Sequence, residues 1–310
     1  MEHSCDRGRM ARRAALLAWV AGLACAHKPE APRGPVIKHL QLDGTKQVSS
    51  GDIKQGIATS ATGWWPFAER KHFDPVTWQS DLRRIERIYE ARGFYGAEVV
   101  SDQVKPVKGG VDLQAVISEG PPTRIDSLTV QGLESLPPAQ AERVVAPLGL
   151  KPGELFREAA WESAKDRLRK RLRNLGFAQV VVEGRALVDV ETQKASLLLV
   201  VRLGREYRFG DIEVHQEPGS RLQPAWISEQ VRLAIPYGKT YSDDALTEGQ
   251  RRVFAMGLFT VAKVSAGHPD AETGLVPIVV ETGTAPFRTL RAGGGVHIDL
   301  IRTEVRLRLE

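Results

Sequence analysis

Three times along the chain, a charged run with helical spacing stops at a glycine and continues as a β-branched strand. The junctions are "YEARGFYGAEVV" from Tyr89, "LRNLGFAQVVVE" from Leu172 and "VFAMGLFTVAKV" from Val253. Their glycines, Gly93, Gly176 and Gly257, lie 83 and 81 residues apart, and recurrence of one anchor at near-constant spacing marks a repeated unit. Before the first glycine, Leu82, Ile85, Ile88 and Tyr89 recur at helical spacing; before the second, Leu168, Leu172 and Leu175 do so. Glycine suits the left-handed position that closes a helix, and an adjoining Phe or Leu can fold back on the last turn.

The agreement extends to both sides. Downstream, "VDLQAVISEGPP", "ASLLLVVRLGRE" and "LVPIVVETGTAP" each read as a strand that ends at Gly120, Gly204 or Gly283. Upstream, Phe73, Phe156 and Tyr241 open the second helix of each copy, and the third helix is about one turn shorter. New copies begin with the alternating stretches "IKHLQLDG", "IDSLTVQG" and "FGDIEVHQ". Each copy therefore reads β-α-α-β-β over about 80 residues. That pattern predicts an α+β class in which two helices cover one face of a three-stranded sheet. The expected units span 36–121, 122–205 and 206–285.

The two ends differ from the repeats. Arg7, Arg9, Arg12 and Arg13 precede "AALLAWVAGLACA", the plan of a secretory signal peptide over residues 1–26. Cleavage after Ala26 and lipoprotein processing with acylation of Cys25 are both compatible with this run. "HKPEAPRGP", residues 27–35, reads as a Pro-rich tether. Both cysteines, Cys5 and Cys25, lie in the leader, so the repeats carry no disulfide framework and no thiolate metal site. At the other end, residues 286–310 hold two alternating stretches with a break near Arg302. Apolar on one face and polar on the other, they fit the start of a transmembrane β-barrel or a soluble amphipathic hairpin. Two strands cannot close a barrel, so the first of these expects a longer protein.

Sites of chemistry are not apparent. "PYGKT" has the last three residues of a phosphate-binding loop, but Leu233 stands where that motif needs its first glycine. Gly238 instead matches Gly153 of the second copy, a turn before the second helix. The histidines lack metal-ligand spacing, and no nucleophile elbow is present. No enzyme activity, cofactor, metal or nucleic-acid partner is expected. "KDRLRKRLRN" from Lys165 places six basic residues on one helix, either as a solvated face or for acidic partners. Trp64, Trp65 and Phe67 lie between helices whose core is already supplied. They either fold beneath the first unit as a local cluster or form an exposed partner patch.

The helix-ending "RGFY", "LGFA" and "MGLF", the "EGP" at 119–121 and the "PYGKTYSDDAL" before the third unit's second helix resemble the POTRA domain. This is the polypeptide-transport-associated repeat of the BamA/TamA superfamily of outer-membrane proteins, and the resemblance covers about residues 36–285. It implies an outer-membrane protein whose repeats lie in the periplasm, insert or translocate β-rich clients, and precede a barrel held in outer-membrane lipid. Three units fit the TamA branch, which implies unfolded outer-membrane clients and TamB-like or lipoprotein partners. The resemblance also places the strand after the second helix at a sheet edge, where a guest strand can add by main-chain bonds. The edge residues to watch are then Ala97, Val99 and Val100; Val180, Val181 and Val182; and Val261 and Val264, with Val181→Pro as a blocking substitution. The competing expectation is a self-contained periplasmic scaffold, lipid-anchored through Cys25, with no barrel.

Overall fold

The computed structural model describes residues 34–65, 67–218, 220, 222–284, 292–298 and 303–309. The expected leader, Cys25 and most of the tether lie outside these residues, as does the link from the third unit to the last two strands.

The first unit runs β1 (Ile37–Asp43), α1 (Ser50–Gly56), α2 (Pro75–Ala91), β2 (Glu98–Val107) and β3 (Gly110–Ser118). The second runs β4 (Arg124–Gln131), α3 (Pro138–Val145), a short 3-10 turn, α4 (Glu158–Arg173), β5 (Val181–Asp189) and β6 (Lys194–Arg202). The third runs β7 (Arg208–Gln216), α5 (Pro224–Ala234), α6 (Asp243–Ala255), β8 (Phe259–Ala266) and β9 (Leu275–Thr284). Each sheet has its last strand in the middle, parallel to the first and antiparallel to the second: β1-β3-β2, β4-β6-β5 and β7-β9-β8. The β-α-α-β-β pattern read from the glycine anchors is thus the observed one in all three copies.

Central strands bury alternate residues: Val111, Leu113, Ala115 and Ile117 in β3, and Ala195, Leu197, Leu199 and Val201 in β6. The second helices meet them with one stripe each, Trp78, Leu82, Ile85 and Tyr89 in α2 and Trp161, Ala164, Leu168 and Leu172 in α4. Each fully buried Leu or Ile of these stripes contributes about 1.5–3 kcal/mol. Local signals set the helix starts. Asp74 caps α2 by accepting the Val76 and Thr77 amides, with Pro75 next, and Ser242 caps α6 through the Ala245 amide.

Three separate cores result, one per unit, but two residues cross between them. After Gly93, Phe94 turns back to its own unit, edge-on to Tyr89 at 6.2 Å. The next residue, Tyr95, goes forward and stacks on Phe156 of the second unit at 6.0 Å. After Gly176, Phe177 again stays home while Ala178 packs into the third core. This explains the paired aromatics of "GFY": one seals the helix end and the other joins two units.

The backbone repeats the same join. The Gly93 carbonyl accepts the Thr123 N–H at 2.7 Å, and the Thr123 carbonyl accepts the Phe156 N–H at 2.9 Å. One unit later, the Gly176 carbonyl accepts the Tyr207 N–H at 2.9 Å, and the Tyr207 carbonyl accepts the Tyr241 N–H at 3.0 Å. Ion pairs flank both joins: Arg87 with Glu158 at 2.7 Å, and Arg173 with Asp243 and Lys170 with Asp244 at 2.9 and 2.8 Å. Half-exposed pairs of this kind each add little, about 0–1 kcal/mol. The main-chain relay and the crossing residues hold the units in line.

The last strands, β10 (Ala292–Ile298) and β11 (Thr303–Leu309), form their own antiparallel pair, with Val296 opposite Val305. They add to none of the three unit sheets.

Candidate functional site

A three-stranded sheet leaves two edges, and here the two edges differ. Along the first strand, the N-terminal part of the edge is closed by the unit's own loop. Ile37, Ile125 and Phe209 donate their N–H groups to the carbonyls of Lys71, Glu154 and Lys239, each at 2.8 Å. The carbonyls of the same three residues accept the amides of Thr62, Gly153 and Gly238. Gly153 and Gly238 occupy the same left-handed turn, φ +87° and +73°. "PYGKT" therefore forms the turn that closes β7, as its match to the second unit predicts.

The other edge belongs to β2, β5 and β8, the strands that follow the second helices. Of the residues singled out there, Val100, Val181 and Val261 are exposed, while Val180, Val182 and Val264 are buried and Ala97 and Val99 half-buried. Ala97 and Val180 precede their strands and donate back to Phe94 and Phe177 in a turn. Val182 and Val264 have outward-facing backbones but serve their cores through their side chains.

Helix side chains cover two of these edges. Glu86 Oε1 accepts the Val99 N–H at 3.1 Å, and Gln250 Oε1 accepts the Val264 N–H at 3.3 Å. Glu86 and Gln250 each stand seven residues before their helix-ending glycine. The residue in that place in the second unit is Arg169, which has no acceptor atom and bonds Asp166 at 2.6 Å instead. Among the described residues, no side-chain acceptor reaches a β5 amide.

Strand alternation also decides which amides point outward. Val264 has its side chain in the core and its N–H turned away from the sheet. The same alternation in β5 turns the N–H groups of Val182, Gly184 and Ala186 outward and that of Val181 toward β6. Val181→Pro would therefore break the unit's own ladder, and Ala186 is the better position for blocking the edge.

Beside β5, on the face opposite the helices, lies an open hollow. Leu187 and Leu198 form its apolar part, and Ser127, Thr129 and Arg185 its polar part. The corresponding face of the first unit is polar. His39 bonds Asp112 at 2.8 Å, Gln114 bonds Asp43 at 2.6 Å, and Lys105 bonds Gln114 at 2.6 Å. The second unit thus combines an uncovered edge with an adjoining aliphatic surface.

The basic helix α4 is less available than its sequence implies. Lys165 pairs with Glu162, Arg169 with Asp166, Lys170 with Asp244, and Arg173 with Asp243; Arg167 donates to the Leu148 carbonyl. Burial works against the Arg173 cation, but Asp243 and the Tyr241 hydroxyl overcome it and favour the charged form. At the other join, burial followed by the nearby Glu158 carboxylate pushes the Tyr95 hydroxyl up to about 12. Arg173 therefore stays charged and Tyr95 neutral across the ordinary pH range.

Trp64, Trp65 and Phe67 are exposed and do not fold beneath the first unit. Among the described residues no group of three His, Cys, Asp or Glu side chains is placed to hold a metal, and no helix is long and apolar enough to cross a membrane.

The family model "Surface antigen variable number repeat", POTRA, matches residues 35–120 and 123–204, more than half of the chain. Among solved structures, the chain is similar to the crystal structure of Haemophilus influenzae BamA POTRA3-5 at 18% identity and a TM-score of 0.53. That match covers 82% of this chain and 99% of the other. POTRA1-3 of the periplasmic domain of Omp85 from Anabaena matches at 16% identity and a TM-score of 0.31, covering 82% and 96%. CdiB from Escherichia coli matches at 16% identity and a TM-score of 0.24, covering 71% of this chain and 35% of CdiB. With two units recognised by sequence and a third built on the same topology and joined by the same relay, the chain belongs to the POTRA family.

Proposed function

We propose that the three units are the periplasmic arm of an outer-membrane protein that inserts or translocates β-rich clients, with β5 as the principal client-receiving edge. The observation that carries this is the difference between the edges: β2 and β8 have an amide held by Glu86 or Gln250, and among the described residues β5 has none. Strand addition draws its affinity from main-chain bonds and its selectivity from side-chain pockets. The hollow at Leu187 and Leu198 supplies such a pocket for alternate apolar residues, the pattern of an outer-membrane β-strand. The β10–β11 pair would open the barrel, and three units favour a TamA-like plan with a TamB-like or lipoprotein partner.

Ala186→Pro tests the edge. Proline is tolerated on an edge strand where its missing N–H faces solvent, so the unit should keep its fold. Binding of an unfolded outer-membrane β-hairpin peptide, followed by fluorescence anisotropy, should weaken at least tenfold. Arg169→Gln, which restores the acceptor of the other two units, should weaken it about threefold. Unchanged binding by both folded variants would remove β5 from the role.

A further inference from the structure

The connection between the two helices is longer in the first unit than in the others: residues 57–74, against 146–157 and 235–242. The extra length carries Trp64, Trp65 and Phe67, which are 91%, 57% and 87% exposed. Long exposed aromatics normally need a loop free to bury them, yet this loop is fixed at its base. Thr62 N–H donates to the Ile37 carbonyl at 3.0 Å, Lys71 N–H to Thr62 Oγ1 at 3.0 Å, and Ile37 N–H to the Lys71 carbonyl at 2.8 Å. Below that neck, the buried Asp81 carboxylate accepts the Ala58 and Thr59 amides. At the tip, the Ala68 N–H closes onto the Trp65 carbonyl at 2.9 Å. The rings stand against one another, Trp64 perpendicular to Trp65 at 5.6 Å and Phe67 at 6.4 Å from Trp65.

We propose that this tip is a membrane-docking element that inserts into the interface of a phospholipid bilayer. Residues 63–68, "GWWPFA", carry no charge, and Glu69, Arg70, Lys71 and His72 follow at once, so the tip is apolar and its base polar and slightly basic. Tryptophan in particular favours the headgroup level, where its ring is apolar and its N–H is wet. Its exposed rings are held ready by the neck, which suits entry into a fluid surface with little ordering cost.

The place of the loop selects lipid over a protein partner. The base is stitched to the point where the chain enters the unit: His72 Nδ1 lies 2.7 Å from the Gly34 carbonyl, and Phe73 N–H donates to the Pro35 carbonyl at 2.8 Å. Gly34 lies nine positions after Cys25, which stands near the end of the apolar run 14–26, a reach of about 30 Å when extended. The chain therefore enters the described fold beside the base of the aromatic loop. If Cys25 is acylated, the tip supplies the second of the two signals that stable anchoring requires. This inference does not depend on the client edge, and an arm whose β5 binds nothing would keep it.

The test uses the full chain and its Trp64→Ser/Trp65→Ser/Phe67→Ser variant, mixed with vesicles of phosphatidylethanolamine and phosphatidylglycerol carrying brominated acyl chains. Bromine quenches only tryptophans that reach the bilayer, and any contribution of Trp19 in the leader is common to both proteins. Wild type should be quenched. The variant should lose most of that quenching and bind vesicles at least tenfold more weakly, while Trp64→Phe/Trp65→Phe should retain binding. Phe67→Ser alone, the smallest change, should weaken binding about threefold. Equal quenching and affinity in wild type and the triple variant would overturn the proposal. So would a variant that keeps its vesicle affinity and instead loses a co-purifying protein, which would assign the tip to a protein partner.

Discussion

Gly93→Ala should cost about 3 kcal/mol or more, whereas Gly257→Ala should cost about 1 kcal/mol, although both glycines end equivalent helices. The shared part of the cost is backbone: φ is +96° at Gly93 and +70° at Gly257, which L-residues resist. The difference is what a methyl group would meet. At Gly93 an added Cβ lies 2.1 Å from the Phe156 carbonyl oxygen, a backbone atom that cannot step aside without opening the join to the second unit. At Gly257 nothing lies within 4 Å among the described residues. Gly176 should fall between, because its added Cβ meets the Thr240 Cγ2 at 3.0 Å, the end of a side chain. Hydrogen exchange separates junction from core: in Gly93→Ala the Thr123 and Phe156 amides should lose protection while those of β3 and β6 keep theirs. Equal effects at the three sites would mean that the glycines serve their own helices alone.

Asp81→Asn should lower the stability of the first unit by about 2 kcal/mol at pH 7, and the loss should fade in acid. Burial raises the Asp81 pKa, but the Thr59 hydroxyl, the Ala58 and Thr59 amides and the Arg84 guanidinium outweigh it and hold the pKa below the usual 3.8. A carboxyl whose folded pKa is depressed stabilises the fold fully above its unfolded pKa and loses that contribution as pH falls through the folded one. The gap between wild type and Asp81→Asn should therefore be widest above about pH 4 and narrow below it. Urea unfolding followed by the emission of buried Trp78, at pH 7 and at pH 2.5, measures both ends. A gap that stays constant with pH would show that the side chain acts through shape and not through charge.

Much of this architecture was legible in the primary structure because it is built from local rules. Positive-φ glycines, capping residues, helical stripes and strand alternation each leave a mark within a few residues, and three copies make the marks repeat. What was not legible depends on contacts between elements. Nothing around Tyr95 distinguishes it from Phe94, yet one packs into its own core and the other into its neighbour's. Asp81 reads as one more polar residue of α2 and is fully buried. Glu86 and Gln250 look like solvated helix residues until the strand beside them presents an amide. A signal for that difference was nevertheless present: setting the three copies on their glycines puts Glu86, Arg169 and Gln250 in one column, where only arginine cannot accept a hydrogen bond. The aromatic loop shows the opposite case, since its residues were conspicuous but their exposure was a matter of the closed neck beneath them.

The relay between units makes few demands on side chains, since it uses carbonyl and amide groups and asks mainly that a glycine end the helix. A copied unit spliced in at that point would find the same acceptor waiting and would offer the same acceptor onward. Copy number can therefore drift over evolutionary time without new complementary surfaces having to arise at every step. Each inserted copy remains free to change its exposed edge and loops, so a lineage can lengthen its arm first and specialise the new segment afterward.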